Sequence, residues 1–114
     1  MDLKLKKCVP CEGGLPRIEG AVLEAMLAQV SGWSLQGGRK LQKRFLFDDF
    51  VSLMAFVGRV AELAEAEAHH PDFCVHYSVL DFEIWTHAIS GLSENDFILA
   101  AKIDALAETA PGRA

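Results

Sequence analysis

Residues 48–71 read DDFVSLMAFVGRVAELAEAEAHHP, and the arrangement of the rest of the chain follows from this stretch. Asp48 and Asp49 offer an N-cap and negative charge at the positive end of a helix dipole. Behind them Phe50, Leu53, Met54, Val57, Val60, Ala61 and Ala64 recur at steps of three and four, which predicts a long helix with one apolar stripe. Pro71 disfavours helical geometry in the residue before it, so the helix is expected to end at about Ala68 or His69.

On the N-terminal side of this helix, EGAVLEAMLAQV places Leu23, Met26, Leu27 and Val30 on one face of a shorter helix, ended by Ser31-Gly32. GWSL and KLQKRFLF flank Gly37-Gly38, the signature of a β-hairpin. Leu41, Phe45 and Phe47 fall on one face of the second strand, with Gln42 and Arg44 on the other. Arg39, Lys40, Lys43 and Arg44 read as a solvated, edge-protecting face rather than a nucleic-acid patch. Beyond Pro71, FCVHY and VLDFEIW read as two further strands. In the second of these, Leu80, Phe82 and Ile84 alternate with Asp81, Glu83, Trp85 and His87, as in a half-buried antiparallel strand. Ser93 opens a last helix, with Asp96 three positions on in a capping-box pattern, and the helix runs to about Ala107 before a Pro-Gly tail. The expected fold is therefore α+β in the order α-β-β-α-β-β-α, a four-stranded antiparallel sheet with helices packed on one face. An irregular arm (residues 1–18), one domain (residues 19–109) and a tail (residues 110–114) complete the expected organisation.

Composition narrows the class of function. The 114 residues suffice for one core, and 51% hydrophobic with 24% charged residues indicates a soluble globular chain. A net charge of −5 argues against bulk attraction to nucleic acid or anionic membranes. MDLKLKK lacks the apolar stretch of a signal peptide, and no run is long enough to span a bilayer, so the cytoplasm is the expected location. Three scattered cysteines do not form a disulfide framework. Cys8 and Cys11 make one CxxC, but no second pair of ligands repeats the spacing, so a free-thiol arm is expected and no metal.

The histidines at the helix end admit more than one reading. Histidine near a helix C-terminus, followed by proline, needs no function to explain it. A two-histidine metal chelate is disfavoured, because adjacent helical residues point about 100° apart. Acid–base chemistry fits the pattern better. Glu65 and His69 are four apart and can touch on one helical face, while His70 points elsewhere and His87 lies beside Trp85. Imidazole titrates near neutral pH, so such a set can donate and accept protons.

Taken together, Glu65-x-x-x-His69-His70-Pro71, Trp85-Thr86-His87 and Gly91-Leu92-Ser93-Glu94-Asn95-Asp96 closely resemble the pterin-4a-carbinolamine dehydratases. The likeness extends to Gly32-Trp33, to the run from Arg44 to Phe50, to Val60-Ala61-Glu62 and to Leu99–Asp104. It implies the same α+β fold assembled as a homodimer or homotetramer. It also implies dehydration of 4a-hydroxytetrahydropterins to quinonoid dihydropterins, recycling the cofactor of aromatic amino-acid hydroxylases. The resemblance implies no metal or organic cofactor of the enzyme itself. It assigns His69, His70 and His87 as catalytic, with Glu65, Asp96 and Pro71 in support and Glu65 set against His69. Trp33, Phe73, Trp85 and Thr86 become candidate substrate-binding residues. Ala68 and Phe73 depart from the family pattern, since many relatives carry a polar residue at the first and animal members a tryptophan at the second. A second implied class is an interaction module, because some relatives partner a transcription factor or assist assembly of a carbon-fixation enzyme.

Overall fold

The computed structural model describes residues 2–9 and 16–113. Helix α1 (Gly20–Leu27) leads into strands β1 (Ser34–Gln36) and β2 (Lys40–Leu46). Helix α2 (Phe50–Glu67), strands β3 (Asp72–His76) and β4 (Val79–Ile84), and helix α3 (Glu94–Glu108) follow. Two single turns of 3₁₀ helix, Leu3–Leu5 and His87–Ile89, lie outside this series. The four strands pair antiparallel in the order β1-β2-β4-β3, so the α-β-β-α-β-β-α order and the single sheet agree with the pattern read from the sequence.

Gly37 and Gly38 both adopt positive φ at the tip of the first hairpin, a conformation that favours glycine. This sets the register in which Leu35 faces Leu41 and Ser34 faces Gln42. In the centre of the sheet, Leu41 pairs with Ile84 and Phe45 with Leu80, so one face buries these side chains with Phe82. The opposite face carries Gln42, Arg44, Asp81 and Cys74. Arg44 grips both oxygens of Asp81 across the strands at 2.7 and 3.0 Å, which holds the Asp81 carboxyl below the usual carboxylate range.

Asp49 caps α2 as expected, its carboxylate accepting the Ser52 amide at 2.7 Å. The buried stripe of α2 differs from the expected one. Leu53, Phe56, Val60, Ala64 and Glu67 face the core, whereas Phe50, Met54 and Ala61 are exposed. The helix is apolar over more than half its circumference near its start, so spacing alone selected a stripe rotated away from the real one. Phe56 settles the orientation by packing between Phe45, Phe47 and Phe82, with ring centroids 5.4–6.5 Å apart. Trp33 joins this aromatic cluster at 6.5 Å from Phe45 and 6.3 Å from Phe82. Its indole N–H donates to Asp104 at 3.0 Å, and Lys43 reaches the same carboxylate at 2.8 Å. Burial nevertheless pushes the Asp104 carboxyl up.

Where described, both ends of the chain pack against the domain. Leu3 and Cys8 of the arm are buried. The Glu67 carboxylate accepts the Cys8 amide at 2.8 Å and the Lys102 ammonium at 2.7 Å. Cys11 lies outside the described residues, so the CxxC is placed only at Cys8, whose sulfur sits 3.5 Å from the Asn95 carbonyl oxygen. In the tail, Gly112 accepts the Asp48 amide and Arg113 bridges back to Phe47.

Phe56→Ala is expected to cost about 3–5 kcal/mol, as for other large-to-small core changes, while the same change at exposed Phe50 costs about 1 kcal/mol or less; urea unfolding measures both. Glu67 supplies a pH test. Burial pushes its carboxyl up, but the Cys8 amide, Lys102 and Lys7 outweigh this and hold it below the ordinary value of 4.5. The unfolded chain therefore takes up this proton first, so the contribution is complete at neutral pH and fades as pH falls below 4.5. Glu67→Gln is expected to be less stable than the parent at pH 7, with the gap closing on acidification.

Candidate active site

Helix α2 ends in a reversal that reorients the histidines. Ala68 adopts a left-handed conformation with φ 53°. The Ala68 amide bonds back to Glu65 and the His69 amide to Ala64, the crossed pattern of a Schellman close. Helical spacing therefore stops before His69, and the expected contact between Glu65 and His69 does not form. His69 turns inward, and its Nε2 meets the Asp96 carboxylate at 2.6 Å, with His69 only 7% exposed and Asp96 fully buried. Glu65 instead meets the next residue, His70, whose Nε2 lies 2.6 Å from Glu65 Oε2 on the surface. Pro71 follows with a trans peptide bond and leads directly into β3.

Asp96 is held from three directions. The Ser93 amide donates to its Oδ2 at 2.8 Å, closing the capping box of α3. The Thr86 hydroxyl donates to the same oxygen at 2.7 Å. Thr86 has only one hydroxyl proton, so the 2.8 Å contact between Thr86 Oγ1 and Ser93 Oγ is donated by Ser93. His69 takes the remaining oxygen, and a carboxylate there requires the proton on Nε2.

Strand β4 ends at Ile84, short of where the alternation suggested, so His87 does not close the strand. Thr86 and Gly91 pair through both their backbone groups, and the loop between them winds into the 3₁₀ turn that begins at His87. Trp85 and His87 remain neighbours, with ring centroids 4.0 Å apart. The Trp85 indole N–H donates to Asp72 Oδ2 at 3.1 Å, and His87 Nε2 lies 3.7 Å from the same oxygen. Lys40 places its ammonium 4.7 Å from the Trp85 ring centroid.

These residues open on one cleft of about 480 Å³, lined by His69, His70 and His87 together with Asp72, Trp85 and Thr86. That volume falls in the range of small-molecule sites. A larger groove of about 610 Å³ crosses the open sheet face, where Arg44 and Asp81 neutralise each other. The smaller cleft holds the convergent titratable groups and is the candidate site. Two expected substrate contacts are not in it. Trp33 is 5% exposed within the core, and Phe73 stands beside Phe82 on a face that does not line the cleft. Thr86 borders the cleft, but its hydroxyl is committed to Asp96. Asp72 was not singled out from the sequence, and Ser93 was read as the opening of the last helix. Asp72 directly follows the His-His-Pro run, yet only the β3–β4 pairing brings it to His87. Among the described residues, no group of three or more His, Cys, Asp or Glu side chains is arranged to hold a metal ion, and no helix is long and apolar enough to cross a membrane.

A four-stranded antiparallel sheet backed by helices, with histidine–carboxylate pairs at the end of the long helix, defines a class of small α+β proteins with an acid–base cleft. The sequence model of the pterin 4 alpha carbinolamine dehydratase family matches residues 16–106, and the chain belongs to that family. A protein of Halorhodospira halophila with the provisional name pterin-4-alpha-carbinolamine dehydratase is 50% identical over 107 residues, covering 93% of this chain and 98% of its own. One of Rickettsia canadensis with the same provisional name is 45% identical, covering 90% and 94%. Among solved structures, a transcriptional coactivator/pterin dehydratase from Brucella melitensis superposes with a TM-score of 0.77 at 30% identity, covering 81% of this chain and 99% of that one. A pterin dehydratase-like protein described as a RuBisCO assembly factor in the alpha-carboxysome reaches 0.58 at 28% identity, covering 67% and 89%.

The left-handed joint at Ala68 yields a direct test. Left-handed geometry costs an L-residue roughly 1–2 kcal/mol, partly offset in glycine by its freer unfolded chain. Ala68→Gly is expected to raise the thermal midpoint while leaving both histidine contacts in place, as read by calorimetry and by histidine NMR shifts.

Proposed function

We propose that this protein is a dehydratase that converts 4a-hydroxytetrahydropterins to quinonoid dihydropterins and water. The observation that carries this reading is the convergence of three histidines on one cleft, each beside its own carboxylate: His69 with Asp96, His70 with Glu65, His87 with Asp72. Dehydration breaks the C4a–O bond after the leaving hydroxyl is protonated. The N5–H bond supplies the electron pair for the new C4a=N5 double bond, and its proton passes to a base. The reaction therefore needs one acid and one base a few ångströms apart, each worth typically ~10²–10⁴-fold.

His69 and His70 share the two proton transfers, and His87 orients or protonates the ligand. Asp96 fixes the His69 ring and stabilises the imidazolium when it forms, from a fully buried position. Glu65 serves His70 in the same way in more solvated surroundings, and Pro71 holds the two histidines at the mouth of the cleft. Trp85 offers an aromatic edge against which a flat ring can lie. No step calls for a metal or organic cofactor. The family relationship supports the pterin as substrate, assembly of copies of the chain, and a functional link to an aromatic amino-acid hydroxylase. Exposed Phe50, Val51 and Met54 on α2 suit a contact between copies.

An interaction module is the competing reading, favoured by that same apolar face and by the coactivator and assembly-factor descriptions of the two solved relatives. The presence of all three histidine–carboxylate pairs at one cleft weighs toward catalysis. Purified protein is expected to dehydrate synthetic 4a-hydroxytetrahydropterin well above the spontaneous rate, and His69→Ala and His70→Ala to reduce kcat by ~10²–10⁴-fold each. Turnover at background level by the parent chain would overturn the enzyme reading.

A further inference from the structure

Four consecutive residues of the N-terminal arm bond to the two elements that carry the buried His69–Asp96 pair, the outer two to α3 and the inner two to α2. Lys6 binds Glu94 at 2.6 Å, and Lys7 donates to the Ala66 carbonyl at 2.7 Å. The Cys8 amide donates to Glu67 at 2.8 Å. Val9 is held at both ends by the Asn95 side chain, which accepts its N–H at 2.9 Å and donates to its carbonyl at 2.7 Å. Ala66 and Glu67 form the last turn of α2, just ahead of His69. Glu94 and Asn95 form the first turn of α3, immediately ahead of Asp96.

The residue types at these anchor points are costly unless geometry is the return. Glu67 is a buried carboxylate at the negative end of its own helix, where both burial and the dipole disfavour it. An apolar residue of similar size would pack there with less penalty. Glu67 instead joins α2 to the arm through Cys8 and to α3 through Lys102. Asn95 is 1% exposed, and its amide copies the hydrogen-bonding edge of a strand toward Val9. Meanwhile the His69–Asp96 hydrogen bond spans two separate elements, and His69 sits just beyond a left-handed joint, where its amide makes the last backbone bond to α2 at Ala64. Hydrogen bonds weaken steeply with misalignment, so that gap needs an external brace.

We propose that Lys6–Val9 form a clasp, with Glu67 and Asn95 as positioning residues that set the spacing between the end of α2 and the start of α3 and thereby hold the His69 ring against Asp96. Its catalytic consequence rests on the proton-transfer role given to His69 above, whereas its geometric consequence does not.

The test uses the full-length chain labelled with ¹⁵N. Long-range ¹H–¹⁵N spectra of the His69 imidazole report which ring nitrogen carries the proton, and the parent chain is expected to show it on Nε2. In Asn95→Ala and Glu67→Ala the His69 ring nitrogens are expected to move toward a mixture of tautomers. At the same time kcat falls about ten-fold or more with KM within about two-fold, in protein that circular dichroism shows to be folded at the assay temperature. Asn95→Gln, which keeps both the donor and the acceptor on a stem one methylene longer, regains part of that kcat. If Asn95→Ala does not fold, the double change Lys6→Ala/Lys7→Ala removes two surface contacts of the arm and carries the same readouts with a smaller loss.

Unmoved His69 nitrogens in folded variants overturn the clasp, whatever happens to kcat. Moved nitrogens with undiminished kcat uphold the clasp and overturn the proton-transfer role of His69 instead. The spectra are recorded without substrate, so an inactive parent chain defeats the proposed reaction alone and leaves the clasp judged on the nitrogen shifts.

Discussion

The site depends on a single fully buried carboxylate. An ionised group removed from water is tolerable only when its oxygens are filled by donors, and Asp96 gathers them from three elements. Its own helix supplies the Ser93 amide, the end of β4 supplies Thr86, and the end of α2 supplies His69. Capping the helix and orienting the imidazole are thus one structural act. The hydroxyls of Ser93 and Thr86 extend the network by one further hydrogen bond, which leaves Thr86 little freedom to address a ligand. Low dielectric around the pair makes every one of these bonds stronger and the loss of any one more expensive.

Around that anchor the three histidine–carboxylate pairs form a gradient of exposure. His69 and Asp96 are sealed, while His70 with Glu65 and His87 with Asp72 lie at the surface. Charge on the sealed pair is held by fixed dipoles, and charge on the outer pairs is shared with water. A reaction that needs one group kept in a fixed tautomer and another free to exchange protons with solvent finds both within one cleft. Lys6–Val9 of the arm bond to residues 66–67 and 94–95, the turns that flank the sealed member.

The architecture was largely legible because it follows from periodicity. Gly37-Gly38 marked the hairpin, the alternation of Leu80, Phe82 and Ile84 marked the central strand, and Ser93 with Asp96 marked the start of α3. What escaped were features decided by tertiary contact. Phe56 rather than Phe50 or Met54 faces the core, because the helix offers several apolar stripes and only the sheet chooses among them. Trp33 is claimed by the aromatic cluster and by Asp104. Glu65 and His69 would have met on a continuous helix, but a left-handed turn at an alanine gave no compositional warning. The partner of His69 lies 27 residues away, beyond the reach of any local spacing rule. Asp72 reached His87 only through strand pairing.

The two histidine pairs at the end of α2 differ in what else they do. Asp96, Thr86 and Ser93 serve the start of a helix whether or not any chemistry takes place beside them. The pair of His70 and Glu65 stands in solvent and supports no cap, strand or core. A descendant of this chain relieved of its chemistry would keep the first set for the sake of folding and let the second drift. Side chains at positions 65 and 70, not the buried aspartate, are therefore the sensitive markers of whether a protein of this shape still works on a substrate.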